Sequence, residues 1–487
     1  MVAIVIQTLT SENTGIVLED GKVKELLINR PGNTYQVGNI YVGKVTKVEK
    51  GLQAAFVEIG DERLGFLQRK ELPKARENTK LGIEGIITEG QSLIVQIQKS
   101  AYGNKGARLT ANITIPGTDL VYLPFGNYVA CSKKLDDERR TELKSLVDEI
   151  RLGEEGAIIR TSAKGKAPQV LEEEYNNLRQ RWKSMEKRAL KQSAPSSIYV
   201  DDTISDRLVR RFPPTELEAI YVDTSLVANR IRSNYPELND VIFLEKNVES
   251  KLPKPISQIM MDAVSPRVHA AKGVALHIDQ TEALTAIDVN SASFMGKGNK
   301  EQTVVQANCY AAVAVAQQVR LRNLSGIIII DFIGMKTQSQ KQQVLQALKQ
   351  ELAKDSVRTE VYGFTQLGLV EMTRKREAPS VGEILAGDQK EGHPKLSSET
   401  FAFLLERELI GYYNSEIEAL LIEVNPAVLD AFTHLVQVEK LRNYVSQEVY
   451  ILKSSSVATY HIKLAGSKQL IVDQLSTISS DSIDKIL

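Results

Sequence analysis

A chain of 487 residues is too long for one small module and, at about 100–200 residues per domain, predicts several domains with cores of their own. Hydrophobic residues at 42%, charged residues at 25%, 30 Gly and 15 Pro exclude a disordered or collagen-like chain. Lys plus Arg and Asp plus Glu both number 61, so any affinity for nucleic acid or an anionic membrane must come from local patches and not from a global field.

No apolar run approaches the ~20 residues that span a bilayer, and Met1 to Thr10 lacks the basic segment ahead of an apolar stretch that marks a signal peptide, so a cytoplasmic protein is expected. The two cysteines, Cys131 and Cys309, stand far apart in sequence without a CxxC pair, which fits a reducing compartment and offers no thiolate zinc site.

Val2–Thr8, Thr14–Leu18 and Lys22–Ile28 read as strands, the last two joined at Asp20-Gly21, a dipeptide suited to a tight hairpin turn. From Gly38 to about Thr114, short alternating strands at Asn39–Lys47, Ala54–Ile59, Leu64–Leu67 and Ser92–Lys99 have the rhythm of a small closed barrel. Positive charge then rises through Lys133, Lys134, Arg139, Arg140, Arg160, Lys164 and Lys166, and helical spacing follows through Leu178, Trp182 and Met185. A Pro- and Ser-containing piece, Ser193–Ile198, precedes a mixed stretch from Tyr221 to Leu244, and Pro253 and Pro255 mark a further boundary. From Ala271 a strand, helix, strand order is clear. Glu377–Ser398, poor in large apolar residues, reads as a linker, and Phe401–Tyr413 resumes helical spacing in a last α/β domain.

The strand ending in Asp288-Val289-Asn290 puts Asp288 and Asn290 on one face. A glycine-containing loop, Ser291–Lys300, leads to a helix with Val304, Ala311, Val315 and Val319 on one side, and then Ile327-Ile-Ile-Ile-Asp331 reads as a central parallel strand covered on both faces. If the two strands are neighbours, the right-handed crossover brings Asp288 and Asp331 out at the same sheet edge, where α/β ligand sites lie. Two converging carboxylates repel unless a cation neutralises them, and Mg²⁺ takes one or two carboxylates plus substrate phosphates, which suggests phosphodiester chemistry. The bland alternative, acids that cap a helix or hold a loop, stays open on pattern alone.

TAIDVNS at 285–291, RLRNLSGIIIIDFIGM at 320–335, VEMTRKR at 370–376, GLQAAFVEIG at 51–60 and GNKGARLT at 103–110 closely resemble the ribonuclease E/G endoribonucleases. The resemblance extends from the N-terminus to about Arg376. It implies an α/β multidomain chain: a discontinuous RNase H-like subdomain (1–33 and 205–262), an inserted S1 barrel of OB-fold type (34–113), a 5′ sensor region (114–204), a DNase I-like α/β catalytic domain (263–376), a linker (377–397) and a small C-terminal α/β domain (398–487). It further implies that Asp288 and Asp331 bind Mg²⁺, with Mn²⁺ as the other acceptable metal, and that Asn290 contacts the reacting region. Phe56, Phe66 and Lys105 occupy the positions of the family's RNA-binding residues, and strand alternation independently turns Phe56 outward, away from Ala55, Val57 and Ile59. Arg160 and Thr161 match a clamp for the 5′-monophosphate, Gly117 and Val121 match positions lining that pocket, and Lys133 stands for an arginine there, keeping the charge without the fork. Arg358 matches a residue that contacts RNA near the catalytic site, and Arg374, Lys375 and Arg376 could add phosphate contacts.

Two departures stand out. The family's Cys-Pro-x-Cys zinc link has no counterpart in the cysteine-free linker, and His393 alone cannot replace two thiolates, so zinc is not expected. Gly334 stands where the family usually has an aspartate. The expected activity is a Mg²⁺-dependent endoribonuclease that cuts single-stranded, AU-rich RNA with stimulation by a 5′-monophosphate, in mRNA decay and rRNA and tRNA processing. The alternative is a catalytically impaired RNA-binding homologue acting through its S1 domain, and a third reading is a translation or ribosome-associated factor. Expected partners are single-stranded RNA and a homodimer through Phe401, Leu404 and Leu405, for which core packing is the equal alternative. Neither a transmembrane segment nor the family's long C-terminal scaffold for the RNA degradosome is expected.

Overall fold

Asp20 and Gly21 both adopt positive φ (50° and 71°), the conformation that a two-residue hairpin demands, and they join the antiparallel strands Asn13–Glu19 and Lys22–Asn29. The computed structural model describes residues 1–31, 37–78, 80–99, 101, 105–133, 135–199, 204–290, 300–387, 396–413, 415–476 and 483–486. The loop expected at Ser291–Lys300 therefore falls outside the described residues except for its last position, and His393 lies outside them too. The chain forms two units, Met1–Gly32 with Pro214–Leu487, and Asn33–Pro213. No described helix is long and apolar enough to cross a membrane.

In the second unit, Ile40–Glu49, Ala54–Glu58, Gly65–Gln68, Arg108–Thr110 and Ser92–Lys99 pair in that order, and Ile40–Glu49 also pairs with Ser92–Lys99, which closes a five-stranded barrel. Its interior is filled by alternate residues such as Val45, Ala55, Val57, Leu67, Val95 and Leu109. The Ser193–Ile198 piece contributes a strand, Ser196–Tyr199, that adds to the outside of Ile40–Glu49. A smaller sheet, ordered Val129–Cys131, Gly156–Ile159, Leu120–Leu123 and Ile115–Pro116, packs with the helices Asp137–Ile150 and Pro168–Ala189.

Among the described residues the first unit holds three sheets. Val2–Gln7 lies between Leu217–Val222, to which it is parallel, and Asn13–Glu19 in a five-stranded mixed sheet. A six-stranded sheet runs Arg267–His269, Ala275–Gln280, Leu284–Asn290, Gly326–Asp331, Val370–Arg374 and Thr359–Phe364. The helices Lys300–Leu321 and Gln338–Leu352 pack on the same side of it, through Ala311, Val315, Val319, Val344 and Leu348 against Ile287, Ile328 and Ile330. The expectation that the isoleucine run is covered on both faces is therefore corrected: Ile328 and Ile330 are buried, while Ile327 is 50% exposed. Both crossover helices lie on one face, and among the described residues the other is left open.

The linker reading also changes. Ser380 and Glu383 form a capping box for a short helix, Val381–Leu385, whose Val381 and Leu385 are buried with Leu396 against the N-terminal sheet. The third sheet, ordered Tyr460–Gly466, Ala419–Val424, Glu448–Lys453 and Ile483–Lys485, packs against the helix Ser398–Gly411. Leu404 and Leu405 on that helix are buried and Phe401 is half-buried, so the apolar face expected to dimerise is used in the core instead. The same helix is tied to the N-terminal segment by Glu12, which accepts from Arg30 Nε at 2.7 Å and Arg407 Nη2 at 3.2 Å, and by Glu406, which accepts from Ser11 N at 2.9 Å and Ser11 Oγ at 2.7 Å.

Candidate functional site

On the strand Leu284–Asn290, Thr285, Ile287 and Val289 point into the core, and Ala286, Asp288 and Asn290 point out. The next strand runs parallel with Asp288 directly beside Asp331, and neighbouring strands lie about 4.8 Å apart. The crossover thus delivers two exposed carboxylates to one place on the open face. Asn290 Nδ2 donates to Asp288 Oδ2 at 2.6 Å, which orients that carboxylate. On the other flank, His277 stands across from Asp288, and its Nε2 lies 3.2 Å from Asp279 Oδ2.

Beyond Asp331, the backbone is held by a residue that pattern reading missed. Asn308, fully buried in the helix Lys300–Leu321, donates from Nδ2 to Ile333 O at 2.7 Å and accepts at Oδ1 from Ile333 N at 3.0 Å. The available signal was an asparagine within the helix's apolar stripe, between Ala307 and Ala311. Gly334 follows, exposed, and a Cβ added there would meet nothing within 4 Å. Among the described residues no group of three or more His, Cys, Asp or Glu side chains is placed to hold a metal ion. Two hard oxygen ligands and an amide nevertheless suit a cation that completes its shell with water and phosphate. A cleft of about 1200 Å³ in the same unit, lined by Asp223, Lys254, Arg407 and Tyr460 among others, includes neither acid.

Arg358 is exposed and ion-paired with Glu360, at the Gly326 end of the sheet and so about five residues along the strand direction from Asp331. Of the phosphate contacts expected of the adjacent basic run, that of Arg374 is corrected. Arg374 is buried, bonded through Nε to Asp355 Oδ2 at 2.7 Å and through Nη1 to Asn323 Oδ1 at 2.7 Å, because strand parity places it on the inner face with Val370 and Met372. Lys375 and Arg376 pair with Glu377 and Glu383 at 2.8 and 2.7 Å.

On the barrel, Phe56 and Phe66 face each other across adjacent strands, half-buried, with ring centroids 5.8 Å apart and edge-on at 61°. Lys47 stands opposite Phe56 and Arg108 opposite Phe66, so the aromatic pair has a cation on either side. Lys105 is exposed on the approach to the Arg108 strand. Arg108, missed in the sequence, becomes visible only when the barrel closes and sets its strand beside Phe66.

The pocket attributed to the 5′ end gathers segments far apart in sequence. Arg160 N donates to Asp119 O at 2.8 Å, Ser162 Oγ donates to Thr118 O at 3.1 Å, and the hydroxyls of Thr161 and Ser132 lie 2.8 Å apart. Ser132 precedes Lys133, which is exposed. Gly117 N donates to Leu120 O at 2.8 Å to close a tight turn, and Val121 lies on the strand that follows. Both cysteines are free thiols, each pushed up in pKa by burial.

The profile of the Ribonuclease E/G family matches residues 114–377. The chain is 35% identical to Ribonuclease G of Haemophilus influenzae over 476 residues, 93% of this chain and 96% of that protein. It is 33% identical to Ribonuclease G of Escherichia coli strain K12 over 485 residues, 94% and 97% of the two. Similarity to Ribonuclease E of a Nostoc species is 34% over 379 residues, covering 76% of this chain and 55% of that one.

Proposed function

Because the chain belongs to the ribonuclease E/G family, we propose that the Asp288 and Asp331 edge is the hydrolytic centre of an endoribonuclease acting in RNA processing and decay. The observation that carries this reading is the side-by-side register of two exposed carboxylates with Asn290 bonded to one of them. We read the five-stranded N-terminal sheet as RNase H-like, the six-stranded sheet as DNase I-like and the barrel as an S1 domain.

Asp288 and Asp331 would hold Mg²⁺, which when bound supplies Lewis acidity and an activated water for attack on phosphorus, leaving a 5′-phosphate and a 3′-hydroxyl. Asn290 holds the Asp288 carboxylate through its amide, and Asn308 keeps the chain after Asp331 from swinging away. Phe56 and Phe66 offer a surface on which an unpaired base stacks, with Lys105 supplying positive charge for the backbone. That mode of binding favours single-stranded RNA, because a base must be unpaired to stack, and the family resemblance adds the preference for AU-rich sequence. Arg160 and Thr161, with Gly117, Val121 and Lys133 around them, would receive a 5′-monophosphate through charge-assisted hydrogen bonds.

The test is cleavage of a short AU-rich RNA carrying a 5′-monophosphate or a 5′-hydroxyl, with Mg²⁺ or EDTA, by the wild type, Asp288→Asn and Asp331→Asn. Metal-dependent cutting lost in both variants is the expected result. Tight binding without cleavage under every metal condition would overturn the catalytic reading and leave an RNA-binding homologue.

A further inference from the structure

We propose that Glu174 sets the selectivity of the 5′-end pocket by occupying, as an internal carboxylate, the backbone donors that a terminal phosphate would use, so that the two anions compete for one place. The inference rests on the reading of Arg160 and Thr161 as a 5′-phosphate clamp. Glu174 lies on the helix Pro168–Ala189 within the stripe Leu171, Tyr175, Leu178 and Trp182, where an acid is out of keeping with its buried neighbours. It reaches the turn after Ile115–Pro116 and accepts from the N–H groups of both Thr118 and Asp119, the latter at 3.1 and 3.2 Å to its two oxygens. Gly117 makes that approach feasible, since a Cβ there would collide with Glu174 Oε1 and come within 2.9 Å of Leu178 Cδ1.

Two successive N–H groups aimed at one anion, with a guanidinium close by, are a phosphate cradle in miniature. Arg160 is the cation that favours an ionised Glu174. Opposing it are burial and the charge of Asp119, itself only 3% exposed, with Oδ1 lacking a hydrogen-bond partner among the described residues and Oδ2 3.9 Å from Lys166 Nζ. Burial dominates, and the Glu174 carboxyl is pushed up to about 7. Ionised, it repels a phosphate dianion and keeps the turn's donors. Protonated, it drops the charge and loosens its hold on them. The pocket is therefore most receptive on the acid side of neutrality, as long as the phosphate itself, with a second pKa of about 6, stays ionised.

The test compares kcat/KM for one RNA bearing a 5′-monophosphate or a 5′-hydroxyl between about pH 6.5 and about pH 8.5, in a window above the phosphate's own ionisation. The ratio of the two substrates cancels the pH dependence of the chemistry. In the wild type this ratio should fall about 3- to 10-fold across the window. In Glu174→Gln, which keeps the shape and removes the charge, it should be flat and higher than wild type at the alkaline end. Glu174→Asp, which keeps the charge, should retain a slope. A Gln variant with the wild-type slope, or one that melts normally yet shows no preference at any pH, would overturn the proposal while the wild-type preference left the clamp reading standing. No preference in wild type at any pH, or a full wild-type preference retained by Arg160→Ala, would instead sink the clamp reading, and the proposal with it.

Discussion

Asp288 and Asp331 stand side by side on the open face of the six-stranded sheet, exposed, with one amide donating to one of them. Glu12 and Glu406, in the same unit, are closed off from water, and each is met by donors: Arg30 and Arg407 for the first, the Ser11 N–H and hydroxyl for the second. The contrast separates chemistry from architecture. Adjacent like charges are tolerable only where water screens them, and such a pair gains most from a ligand that neutralises it. A buried acid has to be satisfied within the chain, and breaking its partnership costs far more than the pair itself contributes.

The contrast is sharpest at the exposed pair. Asp331→Asn should lower kcat by about 10³-fold or more while unfolding free energy, measured in urea, changes by no more than about 0.5 kcal/mol. Glu12→Ala should do the reverse: a loss of about 3–5 kcal/mol in the same unfolding measurement, because two guanidinium groups lose their buried partner, with cleavage by the folded enzyme near the wild-type rate. If Glu12→Ala left stability intact, the division between the two sets of acids would collapse. Phe56→Ala should act through binding and not through turnover, raising KM by about 5- to 150-fold for the ~1–3 kcal/mol of one stacked base, with kcat little changed.

Glu174 falls between the two classes, partly buried where Glu12 is fully so, and without full neutralisation. Its carboxyl is raised from an ordinary 4.5 to about 7, so its linked stability is fully present below about pH 4.5 and is lost as pH rises through about 7. Glu174→Gln should therefore gain on wild type in melting temperature as pH goes from about 5 to about 8, by roughly 2–4 °C. An unchanged difference across that range would place Glu174 with the well-satisfied acids.

Several site residues were legible because strand parity is local. Asp288 and Asn290 share a face whatever lies around them, and Phe56 turns outward because Ala55 and Val57 must turn inward. The same parity, applied to Val370, Met372 and Arg374, would have sent Arg374 into the core; reading the run as three charges hid this. The short helix Val381–Leu385 was concealed in a segment judged by average composition, although Ser380 and Glu383 carry the spacing of a capping box. Asn308 could be noticed as a polar residue in an apolar stripe, but not assigned to Ile333, which arrives from the next strand.

Periodicity and turn chemistry were enough to place the hairpin at Asp20-Gly21, the barrel strands and the two acids at strand ends, since each depends on residues close in sequence. Which face of the isoleucine strand is covered, which cations flank Phe56 and Phe66, and which carboxylate meets the Thr118 and Asp119 N–H groups were settled only by packing. Those pairings join residues tens to hundreds of positions apart, and the free energy that selects them comes from burial and from satisfying buried polar groups, terms that exist only once the chain has closed on itself.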